Sequence, residues 1–333
     1  SYTTLTVNAG ASIVPLIWQD GGGFRKGGVV AIHCLGTVTV NGVIQATSAG
    51  FRPGATEQNT SGTGTNFVSS YVSTSSNDGA EKGESIAGFG AEYTNGAYNR
   101  GAPANGGGGG NGHNAGGGGG ANGMNGTPWN GQGIMCTACP GTAAWLLDPY
   151  VIANGNVLTT SSGGGRGGYS YASGNQNALT TGPGNTNWGG DNRDPNGGLG
   201  GRPLTIAPQS RIFFGGGGGA GDSNNGSNAP GGSGGGIVYI IAPAIAGSGS
   251  IRSDGGAAVN QISTSNGSAN DAPAGGGGGG TIIIKGTVAN SLTLGAVGGK
   301  GGDQGPLGSE SEGPGGGGGG GYIAITSGSP VQT

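Results

Sequence analysis

The residues able to do chemistry in this 333-residue chain are few and loosely placed. It has two histidines, His33 beside Cys34 and His113 within Asn111-Gly-His-Asn, so almost no side chain is suited to general-base work near neutral pH. Cys136-Thr-Ala-Cys139-Pro carries a C-x-x-C spacing that suits a redox dithiol, half a zinc site or a short disulfide loop. Zinc would need two more ligands, which Cys34 and His33 could supply, yet the second paired motif of structural zinc sites is missing. The plainer expectation for an exported chain is one disulfide from Cys34 to Cys136 or Cys139 with the third thiol buried, or an odd cysteine bridging subunits. Gly231-Gly-Ser233-Gly-Gly fits G-x-S-x-G, but a nucleophile elbow needs a strand before the serine and a helix after it. Here Asn228-Ala-Pro precedes and a strand-like run follows.

Two further groupings suggest binding. Asp191-Asn-Arg-Asp194-Pro-Asn places two carboxylates and two amide oxygens within six residues, a set that calcium accepts. The spacing matches neither an EF-hand nor a nonapeptide β-roll, and an Asx-rich turn is the bland alternative. Calcium is therefore the one cofactor to consider at Asp191 and Asp194. Two polar loops carry aromatic rings among Asn, Ser, Thr and Gly: Tyr93, Tyr98 and Trp129 in one, Tyr169, Tyr171 and Trp188 in the other. That mixture supplies rigid contacts and adaptable hydrogen bonds to a glycan, a receptor or another subunit. The alternative is that these rings cover a sparse core from outside.

The elements that would position these residues are set by an unusual composition. Glycine accounts for 89 residues, while only 8% are charged and 6% aromatic. Collagen needs glycine at every third position, and a flexible linker lacks β-branched runs; neither describes this chain. A net charge of −3 without a basic stripe argues against nucleic acid as a partner. No apolar run reaches the roughly 20 residues of a membrane span. The chain opens on Ser1 with no apolar leader, as a processed exported chain or a trimmed one would.

The glycines fall in blocks, 106–110, 116–120, 215–219, 275–280 and 315–321, and several lead directly into strand-like runs. One unit reads Gly234-Gly-Gly-Ile237-Val-Tyr-Ile-Ile, a turn, then Gly249-Ser-Ile251-Arg; another reads Gly280-Thr-Ile-Ile-Ile, then Ser291-Leu-Thr-Leu. Val29 to Ile44 repeats the two-strand half, and Tyr322-Ile-Ala-Ile-Thr begins a copy that the end of the chain cuts short. No apolar 3.6-residue period outlasts about ten residues; Thr142 to Tyr150 is the best helical candidate, and Pro149 limits it. Polyglycine can adopt an extended helix of three residues per turn and about 3.1 Å per residue. Without Cβ atoms such helices can bond sideways to one another. The expected fold is all-β plus polyglycine II helices, in one elongated layered or solenoid-like domain over 1–333. Its parts are N-terminal strands (1–50), a loop-rich region with glycine blocks (51–200) and strand and glycine-block repeats (201–333).

Glycine blocks alternating with strands, as in Gly247-Ser-Gly-Ser-Ile251-Arg-Ser-Asp-Gly255-Gly and Ala274-Gly-Gly-Gly-Gly-Gly-Gly-Thr-Ile-Ile, resemble the glycine-rich motifs of T-even-type phage tail-fibre tip adhesins and of glycine-rich bacterial surface proteins. The resemblance spans roughly residues 100–333. It implies a sandwich of polyglycine helices whose loops meet host receptors; the N-terminal strands depart from the Trp-rich attachment segment of that family. The resulting expectation is a non-enzymatic structural protein, extracellular or on a cell or virion surface. It would self-assemble as a homo-oligomer or homopolymer, with the N-terminal strand bearing Leu5 and Val7 adding to a neighbour's sheet. The alternative is a receptor-binding adhesin.

Overall fold

The computed structural model describes residues 1–20, 25–55, 71–93, 96–112, 114–123, 163–168, 170, 172–173, 196–204, 211–223, 230–261, 271–304 and 310–333. The short apolar runs form strands: β1 (Leu5–Val7), β2 (Ser12–Ile13), β3 (Gln19–Asp20), β4 (Arg25–Lys26), β5 (Val29–His33), β6 (Val38–Val40) and β7 (Val43–Gln45) come first. They are followed by β8 (Ala172–Ser173), β9 (Ile237–Ala246), β10 (Ser250–Arg252), β11 (Thr281–Val288), β12 (Thr293–Gly295), β13 (Glu310–Ser311), β14 (Tyr322–Gly328) and β15 (Val331–Gln332). Two three-residue 3-10 turns, Ser76–Asp78 and Gly90–Glu92, are the helical elements among the described residues. The chain is almost all β, as the missing helical period implies. Thr142 to Tyr150 lies outside the described residues.

Ten strands form five successive arches, β1–β2, β6–β7, β9–β10, β11–β12 and β14–β15. The first strand of each arch enters one sheet and the second enters another, in the same order: β1-β6-β9-β11-β14 and β2-β7-β10-β12-β15. All these neighbours are parallel, and β5 also pairs in parallel with the first half of β9. Parallel strands need a long return path between them. Here glycine-rich segments supply much of it. Three complete or near-complete arches and a broken one are legible in the sequence; the structure adds Leu5–Ile13 as a first arch, and Val331–Gln332 completes the last. Strands of two or three residues carry too little alternation to be read as strands.

Register between arches stacks like on like. One row runs Ile13, Ile44, Ile251 and Leu294; others run Val30, Val238, Ile282, Ile323 and Ile32, Ile240, Ile284, Ile325. These side chains, with Val38, Ile245 and Val288, meet between the sheets as the apolar core. Burying a side chain of this kind contributes about 1.5–3 kcal/mol. The turn from β9 to β10 needs Gly247, whose φ is +111° and whose missing Cβ would lie within 3.0 Å of the Val40 carbonyl.

Beyond the sheets the glycine segments bond sideways, with partners that repeat every third residue. Gly215 and Gly218 donate to Gly235 and Gly232; Gly216, Gly219 and Asp222 to Ala121, Gly118 and Ala115; Gly217 and Ala220 to Glu84 and Glu81. Likewise Gly275 and Gly278 donate to Gly219 and Gly216, Gly276 and Gly279 to Gly316 and Gly319, and Gly277 and Gly280 to Gly256 and Ser253. Each such segment therefore has three donor directions. Some neighbours run the same way (Gly276 to Gly316, Gly279 to Gly319) and others oppositely (Gly216 to Ala121, Gly219 to Gly118). This spacing explains the composition: a Cβ on any residue of 106–110, 116–120, 215–219 or 275–280 would come within 3.0 Å of a neighbouring segment's backbone. Ala80, Ala115, Ala121, Ala220 and Ala274, all fully buried or nearly so, mark where a methyl fits.

Candidate functional site

Strand alternation decides the fate of Cys34. It follows Val30 and Ile32 at a spacing of two, so its side chain shares their inward face. Cys34 is a buried free thiol whose Sγ–H points to the Thr37 carbonyl at 3.9 Å. The expected disulfide through Cys34 is thus corrected, and Cys136 and Cys139 lie outside the described residues. His33 faces the opposite side, its Nδ1 2.9 Å from Ser1 Oγ, so strand geometry parts the two ligands a zinc site would have shared. Among the described residues no three His, Cys, Asp or Glu side chains group closely enough to hold a metal. Asp191, Asp194, Trp129, Tyr169, Tyr171, Trp188 and His113 also lie outside the described residues. Ser233 sits in the glycine segment leading into β9, where its carbonyl accepts from Gly256 N–H.

The structure gathers a charged and aromatic cluster where the segment 79–93 packs on the glycine bundle. Glu84, with a side chain 1% exposed, accepts from Arg52 N–H and Nε at 2.9 Å each, from Arg52 Nη2 at 3.2 Å and from Trp18 Nε1 at 3.0 Å. The Arg52 guanidinium lies 3.9 Å from the Phe89 ring centroid. Trp18, Phe51 and Phe214 pack beside it with centroids 5.1 to 6.4 Å apart, Phe51 edge to face with both others and Trp18 tilted against Phe214. Glu84 also belongs to the bundle, since its carbonyl accepts from Gly217 N–H. Nothing in the local sequence announces this site, because its members are 32 and 66 residues apart.

Tyr93 and Tyr98 join the periphery of this cluster. The Tyr93 hydroxyl donates to the Gly88 carbonyl and lies 3.1 Å from Ser85 Oγ, and burial pushes it up to about 12. Tyr98 forms backbone bridges to Ser73 and Glu81. Both rings are half-buried, and the Tyr93 hydroxyl is engaged within the chain. Burial raises the Glu81 carboxyl above its usual range, while Ala55 N–H bonds it at 2.6 Å.

Lys82 donates to the Tyr71 carbonyl at 2.9 Å, and burial draws its ammonium down to about 8. Unfolded lysine titrates near ~10.4, so between these values the unfolded chain holds a proton that the folded chain has released. Stability is therefore expected to rise as pH climbs from about 8 towards 10, the burial cost being fully present below 8. Tyr93 acts in the opposite sense above pH ~10. Melting temperatures between pH 7 and 10 should climb in the wild type and stay flatter in Lys82→Met.

The two ends of the arch stack form the other candidate site. Leu5 and Val7 do not face outward: Val7 is buried and Leu5 packs on the core. What β1 offers is its backbone edge, because Leu5 N–H bonds Thr37 and the Val7 carbonyl accepts from Asn41, leaving the Thr6 groups facing away. Around this end Tyr2, Val14, Leu16, Ile17, Val29 and Leu35 are exposed. The apolar run Ile13-Val-Pro-Leu-Ile17 was the signal available in the sequence for that patch.

Fold and site together define an almost all-β chain of two parallel sheets continued by laterally bonded glycine segments. Comparison with protein families, curated proteins and solved structures finds no match to it. No described helix is long and apolar enough to cross a membrane.

Proposed function

We propose that the chain is a non-enzymatic extracellular structural protein that self-assembles into a fibre or surface matrix, its glycine segments being polyglycine II helices packed beside a solenoid-like strand stack. The observation that carries this reading is the period of three in lateral hydrogen-bond partners. It matches an extended helix of three residues per turn and makes backbone bonding the main cohesion outside the sheets. Each such bond contributes about 1 kcal/mol net, and together they offset the high ordering entropy of glycine. A low charge, and strand edges that pair with no further strand among the described residues at either end of the stack, favour association with copies of the same chain.

The second reading is a receptor-binding adhesin, with loops carried on the rigid bundle as contacts for glycans or surface proteins. The exposed Tyr71, Val72 and Ile86, close to the bundle cover, favour it. Negative-stain electron microscopy with light scattering on the purified chain separates the two. An open homopolymer is expected; a monodisperse particle that binds a glycan array would overturn the structural reading in favour of the adhesin.

A further inference from the structure

We infer that copies of this chain join head to tail, the β1–β2 end of one continuing the β14–β15 end of the next in parallel and in register. This rests on the self-assembly proposed above and names its surface, polarity and register. The rows of core residues are complete in the middle of the stack and incomplete at both ends. Ile44, Ile251 and Leu294 are fully buried, whereas Ile13 at the start of their row is only partly so; Ile323 and Ile325 are partly buried at the finish of theirs. Both ends therefore leave core-type side chains half covered.

The backbone repeats the same imbalance. Tyr322 N–H is spent on the Gly280 carbonyl, which by alternation turns the backbone groups of Ile323 and Ile325 outward. At the other end the Thr6 groups face outward. These are opposite edges of the same parallel ladder, and the register given below sets β1 beside residues 328–330, with Ile323 and Ile325 beside the step at β5. Two copies of β1 placed edge to edge would instead pair antiparallel and break every row.

Among the described residues the glycine bundle is also partly uncovered at the β14 end, where Gly165 and Gly168 N–H bond the Gly317 and Pro314 carbonyls. In the segment 315–321, Gly315, Gly318 and Gly321 donate to one neighbour and Gly316 and Gly319 to another. The third set, Gly317 and Gly320, is exposed, and among the described residues no acceptor meets it. A Cβ at Gly320 would meet nothing within 4 Å. This bundle face and the β14 edge are continuous, since the segment runs straight into Tyr322.

The row Leu5, Val38, Ile245, Val288, Gly328 fixes the register. The next copy's Leu5 follows Gly328, and through the second sheet its Ser12 and Ile13 follow Val331 and Gln332. Beside β5 the N-terminal end is stepped inward, so the joint is made at β1 and β2, and the exposed apolar residues flank it. Such an interface is heterologous: it does not close and yields a filament.

Ser12 and Val331 are both exposed and would sit one strand spacing apart, about 4.8 Å, across the joint. A Ser12→Cys and a Val331→Cys variant, treated with a short bis-maleimide beside a wild-type control, should cross-link when mixed and not when alone. Thr6→Pro removes an outward N–H that no described residue accepts; added at one part in ten, it should shorten wild-type filaments at least ten-fold. Cross-linking of Ser12→Cys with itself, or filaments without the mixed cross-link, would overturn the head-to-tail joint while leaving self-assembly standing. Absence of any polymer from the wild-type chain would overturn both.

Discussion

Gly277→Ala is expected to destabilise the chain by about 3 kcal/mol or more, an effect out of proportion to one methyl group. Its Cβ would come within 3.0 Å of the Ser233 carbonyl oxygen, a backbone atom held in its own segment. Relief requires two segments to part. That would weaken the bonds from Gly277 N–H to Gly256 and from Gly299 N–H to Gly277, at 2.9 and 2.8 Å. Alanine elsewhere commonly stabilises a glycine site by about 0.4–1 kcal/mol through the unfolded state, and here the steric term exceeds that gain. Gly320→Ala is the matched control: with open space around its Cβ it should stay within roughly 0.5 kcal/mol of wild type. Urea unfolding of both variants checks the pair, and equal stabilities would contradict lateral packing at backbone contact.

Arg52→Ala carries the second large effect, about 3–5 kcal/mol. Glu84 would keep its bonds from Trp18 and from the residue 52 backbone but lose the cation that balances a buried carboxylate. The loss should exceed what a surface ion pair contributes, roughly 0–1 kcal/mol, because the Glu84 side chain is only 1% exposed. Arg52→Lys should recover only part of it, since lysine has no planar fork for both oxygens. Adding Glu84→Met to an Arg52→Met variant should restore stability relative to Arg52→Met alone, because the stranded charge is then removed. A double-mutant cycle by urea titration gives these differences directly.

The arches around Ile237–Ile241 and Ile282–Ile284 were legible because glycine blocks, β-branched runs and turn residues recur in phase. Cys34 was legible too, through its spacing from Val30 and Ile32, although the redox expectation for an exported chain pointed to a disulfide. Which segment bonds which could not be read. Glycine carries no side chain to specify a partner, so the choice of Gly217 for Gly107 follows from the path of the whole chain. The Arg52–Glu84–Trp18 cluster was hidden for a related reason, its members being joined only by the fold. Tyr93 shows a third limit: an aromatic ring among small polar residues has the same composition whether it seals a core or presents a surface.

Native-state amide hydrogen exchange tests whether the glycine blocks are a regular structural element of this protein. Gly107, Gly118, Gly217 and Gly277 donate to neighbouring segments, and their amides should be protected to the same degree as those of Ile240 and Ile284 in the central strands. Gly317 and Gly320, exposed on the open face, should exchange rapidly within the same run of glycines. Fast exchange throughout the blocks, with protection confined to the strands, would show that the blocks are not held by lateral bonding.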